Sequence, residues 1–296
     1  MILVAGGTGR LGTLVVRRLV DRGLDVRVLT RDPARAAHLT GERVEVVTGD
    51  VRDTESLRPA VAGVEVTVSA VHGLLGPRSN SPETVDRDGN AHLVDATRVV
   101  GADLVLVSTV GAAPDSPMDL FRMKHAAERN ATGSGVATTV VRATAFMQLW
   151  IDLLRQTAGR SGRPLVFGRG DNPVNFVSVT DVAALVDRAV TDPTMRGTTL
   201  EIGGPENLTL NQAAHAVQAA AGRSSAPRHV PPAMLRAMAG TVGRLKPQLR
   251  RQALAAVAMD RMDLTFDAGP LHRTYPELPC TPFAEVLGDL EATRQP

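Results

Sequence analysis

The chain has 296 residues, 33 Lys and Arg against 31 Asp and Glu, and a formal net charge of +2. Its arginines are scattered, so there is no basic tract for nucleic acid, and one cysteine, Cys280, excludes an internal disulfide. No run approaches the roughly 18 apolar residues of a membrane span, and the opening MILVAGG reads as a strand entering a loop; a cytoplasmic protein that binds no membrane is expected.

Short apolar runs predict strands at 2–5, 25–30, 43–47, 65–70, 103–108 and 136–142. Amphipathic stretches between them, such as 11–23 and 89–101, predict helices. This alternation predicts an α/β fold: a Rossmann-type doubly wound parallel sheet with strands buried on both faces. The rhythm changes near residue 145. An apolar helical piece (FMQLWIDLL) precedes a Gly/Arg-rich loop, NFVSV at 175–179 returns to strand, and 180–190 reads as a helix capped by Thr180 or Asp181. After 209 helical patterns dominate. We therefore expect a cofactor core over 1–145, with 175–204 returning to it, and a smaller, mostly helical substrate lobe from 146–174 and 205–296.

The strongest local signal is Gly6-Gly7-Thr8-Gly9-Arg10-Leu11-Gly12, between a strand and a helix. Gly6 permits a tight turn, Gly9 lets a pyrophosphate approach the backbone, and Gly12 lets helix and strand pack closely. The helix N-terminus offers free N–H groups to phosphate. At the end of the second strand stands Arg31, where an NAD-selective site would carry an acid. Arginine suits a 2′-phosphate, and Arg35 can assist, so NADP(H) is preferred, with NAD(H) possible. After the third strand, Asp50 and Val51 suit adenine. After the fourth, Ala70 and Val71 let the chain pass a ribose, and His72 follows. Ser108 and Thr109 end the fifth strand, where such sheets bind ligands. Histidines and cysteine show no ligand spacing, so no metal is expected.

Together GGTGRLG, TRDPARA, GDVRD, LVLVSTVGA, FRMKHAAE, VVRATAFMQ, NFVSVTDVA and LEIGGPENLTL resemble the short-chain dehydrogenase/reductase superfamily. The likeness is to its atypical NmrA-like and isoflavone-reductase-like NAD(P)H-binding branch. The superfamily's Tyr-x-x-x-Lys pair is broken here: the lysine is Lys124, but Leu120 stands at the tyrosine position, and the only tyrosine is Tyr275. The resemblance gives Lys124 two competing roles, holding the nicotinamide ribose or acting as general acid/base; an ordinary surface lysine is the third reading. His72 is the other proton-transfer candidate. The resemblance also places Phe146, Met147 and Trp150 over the nicotinamide as an apolar wall, against the alternative of plain helix packing.

These residues lead to an NADPH-dependent reductase of a small hydrophobic carbonyl, quinone or enone, working without the usual tyrosine. Ser108 and Lys124 would touch the cofactor, Thr109 the substrate. The alternative is a non-catalytic NADP(H)-binding sensor of NmrA-like type. A nucleotide-sugar epimerase ranks last, for want of the tyrosine. Either a monomer or a homodimer fits.

Overall fold

The structure, a computed structural model, describes residues 1–292 apart from Thr40, Leu75 and Pro77, and omits the side chains of Arg78, Arg160 and Arg244. The chain divides into two units: Met1–Arg142 with Val182–Glu201, and Ala143–Asp181 with Ile202–Pro296.

The first unit is built on β1 (Ile2–Ala5), β2 (Val26–Thr30), β3 (Val44–Thr48), β4 (Val66–Ser69), β5 (Asp103–Thr109) and β6 (Thr138–Ala143). With strand Thr199–Ile202 they form a seven-stranded sheet, in which the order from one edge is Thr199–Ile202, β6, β5, β4, β1, β2, β3. The pairings β1–β2, β1–β4, β2–β3 and β4–β5 are parallel and in register, as Ile2 facing both Val26 and Val66 shows. β1 and β4 are thus neighbours while the chain winds outward from each, the Rossmann switch point at which ligands bind. The connecting helices include α1 (Arg10–Asp21), α2 (Thr54–Val61), α3 (Asn90–Val99) and α4 (Asp119–Gly133).

Alternation along each strand divides the side chains between the two faces. Leu3, Ala5 and Leu29 pack with Leu57 and Val61 of α2 and Leu93 of α3. β1 is buried at all four positions, as a strand covered on both faces requires. Arg22, capping α1, donates twice to Asp187 of helix Val179–Thr191, at 2.7 and 2.9 Å. Near the sheet edge, Arg142 of β6 donates to both oxygens of the buried Glu128 carboxylate at 3.0 and 2.6 Å, and reaches Glu201 at 3.1 Å. These bonds raise the Arg142 pKa above its already high value.

The second unit has its own core. Met147, Ile151 and Leu154 of helix Met147–Ala158 pack with Phe176, Leu210, Val217 and Phe283. Strand Pro173–Val177 lies in a three-stranded sheet between Asn207–Thr209 and Ala145–Phe146. The segment expected to return to the cofactor core was 175–204; Val182–Glu201 is the part in the first unit. Strand Pro173–Val177 is held elsewhere because its backbone pairs with strands of the second unit.

The expected cap also moves. Asp181 does not cap its helix: its carboxylate accepts from the amide and hydroxyl of Thr281 at 2.8 and 2.7 Å. Ser178 Oγ takes the capping position, accepting from Thr180 N at 3.2 Å. Burial pushes the Asp181 carboxyl above the usual range, against the two Thr281 bonds that favour its charge. The Met- and Arg-rich stretch forms helices Pro232–Gly240, Val242–Leu245 and Pro247–Met259, with Leu235, Ala239 and Ala253 inward and Met234, Met238 and Leu245 exposed. No helix among the described residues is long and apolar enough to cross a membrane.

Candidate functional site

The glycine loop joins β1 to α1 in four residues, closed by a Gly9 N–H to Gly6 C=O bond of 3.0 Å. Gly6 has φ of +84°, a conformation that L side chains rarely adopt. A Cβ on Gly6 would stand 2.7 Å from the Ala70 carbonyl oxygen, so this glycine also lets the exit of β4 lie against the loop. A Cβ on Gly12 would stand 2.2 Å from Gly6 O, so no side chain fits there. Gly9 differs: it is exposed, and its Cβ would meet nothing nearer than Gly6 O at 3.2 Å. The exposed side of the loop is thus at Gly9, the residue before α1, whose first turn no side chain caps. Such a terminus attracts phosphate. Around it, Arg10 is exposed, Thr8 is half-buried and the Leu11 side chain belongs to the core, leaving its backbone as the group able to meet a phosphate.

At the exit of β2, Arg31 is exposed and donates to Asn80 Oδ1 at 3.0 Å, and Arg35 is exposed on the following 3₁₀ turn. Asp50 accepts from the Arg52 amide at 3.0 Å and from its guanidinium. The Arg52 bonds, aided by the Arg31 charge and opposed by partial burial, hold the Asp50 carboxyl below the usual range. Arg52 also donates to Ser79 O, so the segment after β4 is tied to the exits of both β2 and β3. Val51 is 7% exposed and packs with Val85 and Leu93 in the core. Its side chain therefore offers little of the apolar face expected for adenine.

The carboxyl ends of β4 and β5 carry a buried polar cluster. Lys124 of α4 is 6% exposed. Its Nζ donates to Val71 O at 3.0 Å and to Val107 O at 2.9 Å, and stands 3.0 Å from Asp86 Oδ1. Asp86 is fully buried, and its other oxygen accepts from Gly73 N at 2.7 Å. Three oxygens thus surround the ammonium, and a ribose hydroxyl must share or displace one. Leu120 is half-buried one turn earlier. His72, between Val71 and Gly73, is exposed at the surface, but protein atoms crowd it from behind. This crowding, the largest influence, pushes its imidazole below the usual value; the Asp86 charge raises it and the Lys124 charge lowers it further. Ser108, beside Val107, is 6% exposed, and its hydroxyl has no hydrogen-bond partner among the described residues. A buried hydroxyl without a partner is costly, so a ligand that bonds it fits. Thr109 gives its hydroxyl proton to Val110 O at 3.3 Å.

The exposed Gly9, the uncapped α1 and the Ser108 hydroxyl without a partner among the described residues all fit a dinucleotide running from the glycine loop to the end of β5. A family model described as the NmrA-like family matches residues 1–259. The chain belongs to the NmrA-like family. It is 34% identical over 227 residues to an NAD(P)H azoreductase of Xenophilus azovorans, covering 75% of this chain and 74% of that one. It is 27% identical over 244 residues to the photosystem II assembly factor Ycf39 of Synechocystis, covering 80% and 72%. In fold it is similar to the NADPH-dependent quinone oxidoreductase QOR2 of Escherichia coli, solved with NADPH, at a TM-score of 0.80 and 22% identity over 98% of this chain and 99% of that one.

Asp86, which faces Lys124 in the buried polar cluster, is the residue that the sequence reading missed. It lies on the π-helical turn Pro82–Gly89, whose hydrogen bonds span five residues where those of an α-helix span four, and where the sequence pattern gave no element. An acid four residues before an asparagine, in the run VDRDGN, was the available signal.

The proposed apolar wall lies in the second unit. Met147 is 1% exposed and is part of that unit's core. A wall role for its side chain is therefore corrected to packing, as its i, i+4 partner Ile151, also buried, explains. Trp150 is half-buried and meets the Phe176 ring edge-on at 6.2 Å, and Phe146 is half-buried. Tyr275 ends a short helix of the second unit.

Proposed function

We propose that this NmrA-like chain is an NADPH-dependent reductase of a small hydrophobic quinone, enone or carbonyl compound. The observation that carries the reading is the glycine loop, closed to a Cβ at Gly6 and Gly12 and exposed at Gly9, where a Cβ would meet only Gly6 O. When bound, NADPH supplies the hydride. Gly9 and the first turn of α1 hold its pyrophosphate, Arg31 and Arg35 its 2′-phosphate, and the Ser108 hydroxyl a group at the end of β5. The backbone at Ala70 and Val71 passes the ribose, and Asp50 borders the adenine. Thr109, at the end of β5, is the substrate contact we assign in the first unit, and Lys124 acts from inside its ion pair.

The reductase reading is supported by the 34% identity to an azoreductase. Leu120 in place of tyrosine favours acceptors that take their proton after hydride arrives, as quinones do. His72 is the exposed group able to supply that proton at pH below its depressed pKa, where the imidazole is protonated.

A second reading, an NADP(H)-binding protein without turnover, is favoured by the enclosed Lys124 and by similarity to an assembly factor. One experiment separates the two. NADPH binding is measured by nicotinamide fluorescence, and NADPH oxidation is then followed with quinones, azo dyes, enones and aromatic ketones, with NADH in parallel. Turnover with any acceptor is the expected result. Binding without oxidation across the series favours the second reading, and absence of binding overturns both.

A further inference from the structure

The two peptide groups that flank His72 are each held by one half of a buried ion pair. The carbonyl before it, Val71 O, accepts from Lys124 Nζ at 3.0 Å. The amide after it, Gly73 N, donates to Asp86 Oδ2 at 2.7 Å. Lys124 Nζ and Asp86 Oδ1 stand 3.0 Å apart, with side chains 7% and 0% exposed. Peptide groups are planar, so fixing both planes fixes φ and ψ at His72 and with them the direction of its Cα–Cβ bond.

Each half of the pair is itself anchored. Lys124 reaches Val107 O at 2.9 Å, which ties α4 to β5. Asp86 sits in the widened π-helical turn, and its carbonyl accepts from Asn90 Nδ2 at 2.8 Å. Asn90 Oδ1 in turn accepts from the Ser69 hydroxyl at 2.5 Å, and Ser69 is the last residue of β4. Gly73 is a point of close approach, since a Cβ there would stand 2.4 Å from Ser81 O. The exit of β4 is therefore pinned before and after His72, a residue that is itself exposed.

We propose that Asp86 and Lys124 are positioning residues, an ion pair that grips the backbone on both sides of His72 and presents its imidazole at the carboxyl end of β4. What the imidazole then does rests on the reductase reading; the grip does not. Lys124 acts here through His72 and not as the proton carrier. The charged groups facing His72 are Asp86 from the π-helical turn and Lys124 from α4, and their influences on the imidazole have opposite sign.

The test is read on His72 by NMR, without substrate, with the ring resonance assigned by its absence in His72→Gln. Asp86→Asn removes a negative charge and shifts the His72 titration to lower pH. Lys124→Met removes a positive charge and shifts it to higher pH. Either single variant leaves a buried charge unpaired and risks unfolding, so the double variant Asp86→Leu/Lys124→Met, which removes both charges, is measured beside them. In it the Gly73 amide exchanges about tenfold faster or more, because its acceptor is gone, and the His72 ring resonance broadens or splits. A folded double variant with wild-type Gly73 protection and one sharp His72 resonance overturns the proposal. So do single variants that shift the titration the same way. Failure of turnover with every acceptor would overturn the reductase reading and leave these measurements standing.

Discussion

Gly12 lies so close to Gly6 that a Cβ on it would stand 2.2 Å from the Gly6 carbonyl oxygen. A Cβ on Gly9 would keep 3.2 Å from the same atom. The two glycines thus serve different ends, one the packing of helix on strand, the other access to the ligand. Gly12→Ala is expected to lower the melting temperature and abolish NADPH binding together. Gly9→Ala should keep the melting temperature within a few degrees and weaken NADPH about tenfold, or about 1.4 kcal/mol. Thermal unfolding and fluorescence titration of both variants check this. Equal melting losses would remove the distinction.

Arg31 is exposed at the exit of β2, with one guanidinium nitrogen on Asn80 Oδ1 and the Asp50 carboxylate within electrostatic reach. A charge-assisted bond to phosphate contributes about 1.5–3 kcal/mol. Arg31→Ala should therefore weaken NADPH roughly 10- to 100-fold and NADH by less than about threefold. Parallel titrations with the two cofactors measure the ratio; equal losses would take the 2′-phosphate away from this arginine.

The nucleotide half of the site was legible because its residues are adjacent in sequence: strand, glycines and helix fall within β1 and α1, and the element order dictates the sheet. The other half was not, because it is made by the fold. Lys124 was singled out, but its partners Val71 O, Val107 O and Asp86 come from three other segments. Asp86 could not be recognised, since a π-helical turn has no sequence period of its own and a buried acid reads like a surface one. Met147 and Val51 illustrate the reverse error. Both sit in motifs pointing to a ligand, yet burial by residues distant in sequence assigns their side chains to cores.

Glu128 and Arg142 form a second buried contact, bidentate at 3.0 and 2.6 Å, with the glutamate 6% exposed. Removing one partner of such a pair costs about 3–5 kcal/mol because the other charge stays buried alone. Arg142→Met should destabilise the protein by about that amount, and the double variant Glu128→Leu/Arg142→Met should recover most of it. Urea unfolding of the two variants provides the comparison. A double variant no more stable than the single one would show that the two residues act separately.

His72 sets the pH behaviour of the site. Crowding by protein holds its pKa below the usual imidazole value of about 6.5. The unfolded chain therefore binds this proton more readily than the folded one. The stability contributed by a neutral His72 is present above about pH 6.5 and is lost as pH falls from there through the folded pKa. For catalysis the sign differs, because a donor must carry its proton. If His72 supplies the proton in the step that limits kcat/KM, the rate is flat below the depressed pKa and falls about tenfold per pH unit above it. His72→Gln should remove that limb and lower kcat by about 10²-fold or more at the acid plateau, with NADPH affinity unchanged. A pH series with one quinone and both proteins decides the matter. A limb that survives in His72→Gln assigns the proton to solvent or another group, and leaves His72 an exposed residue after β4 without a chemical part.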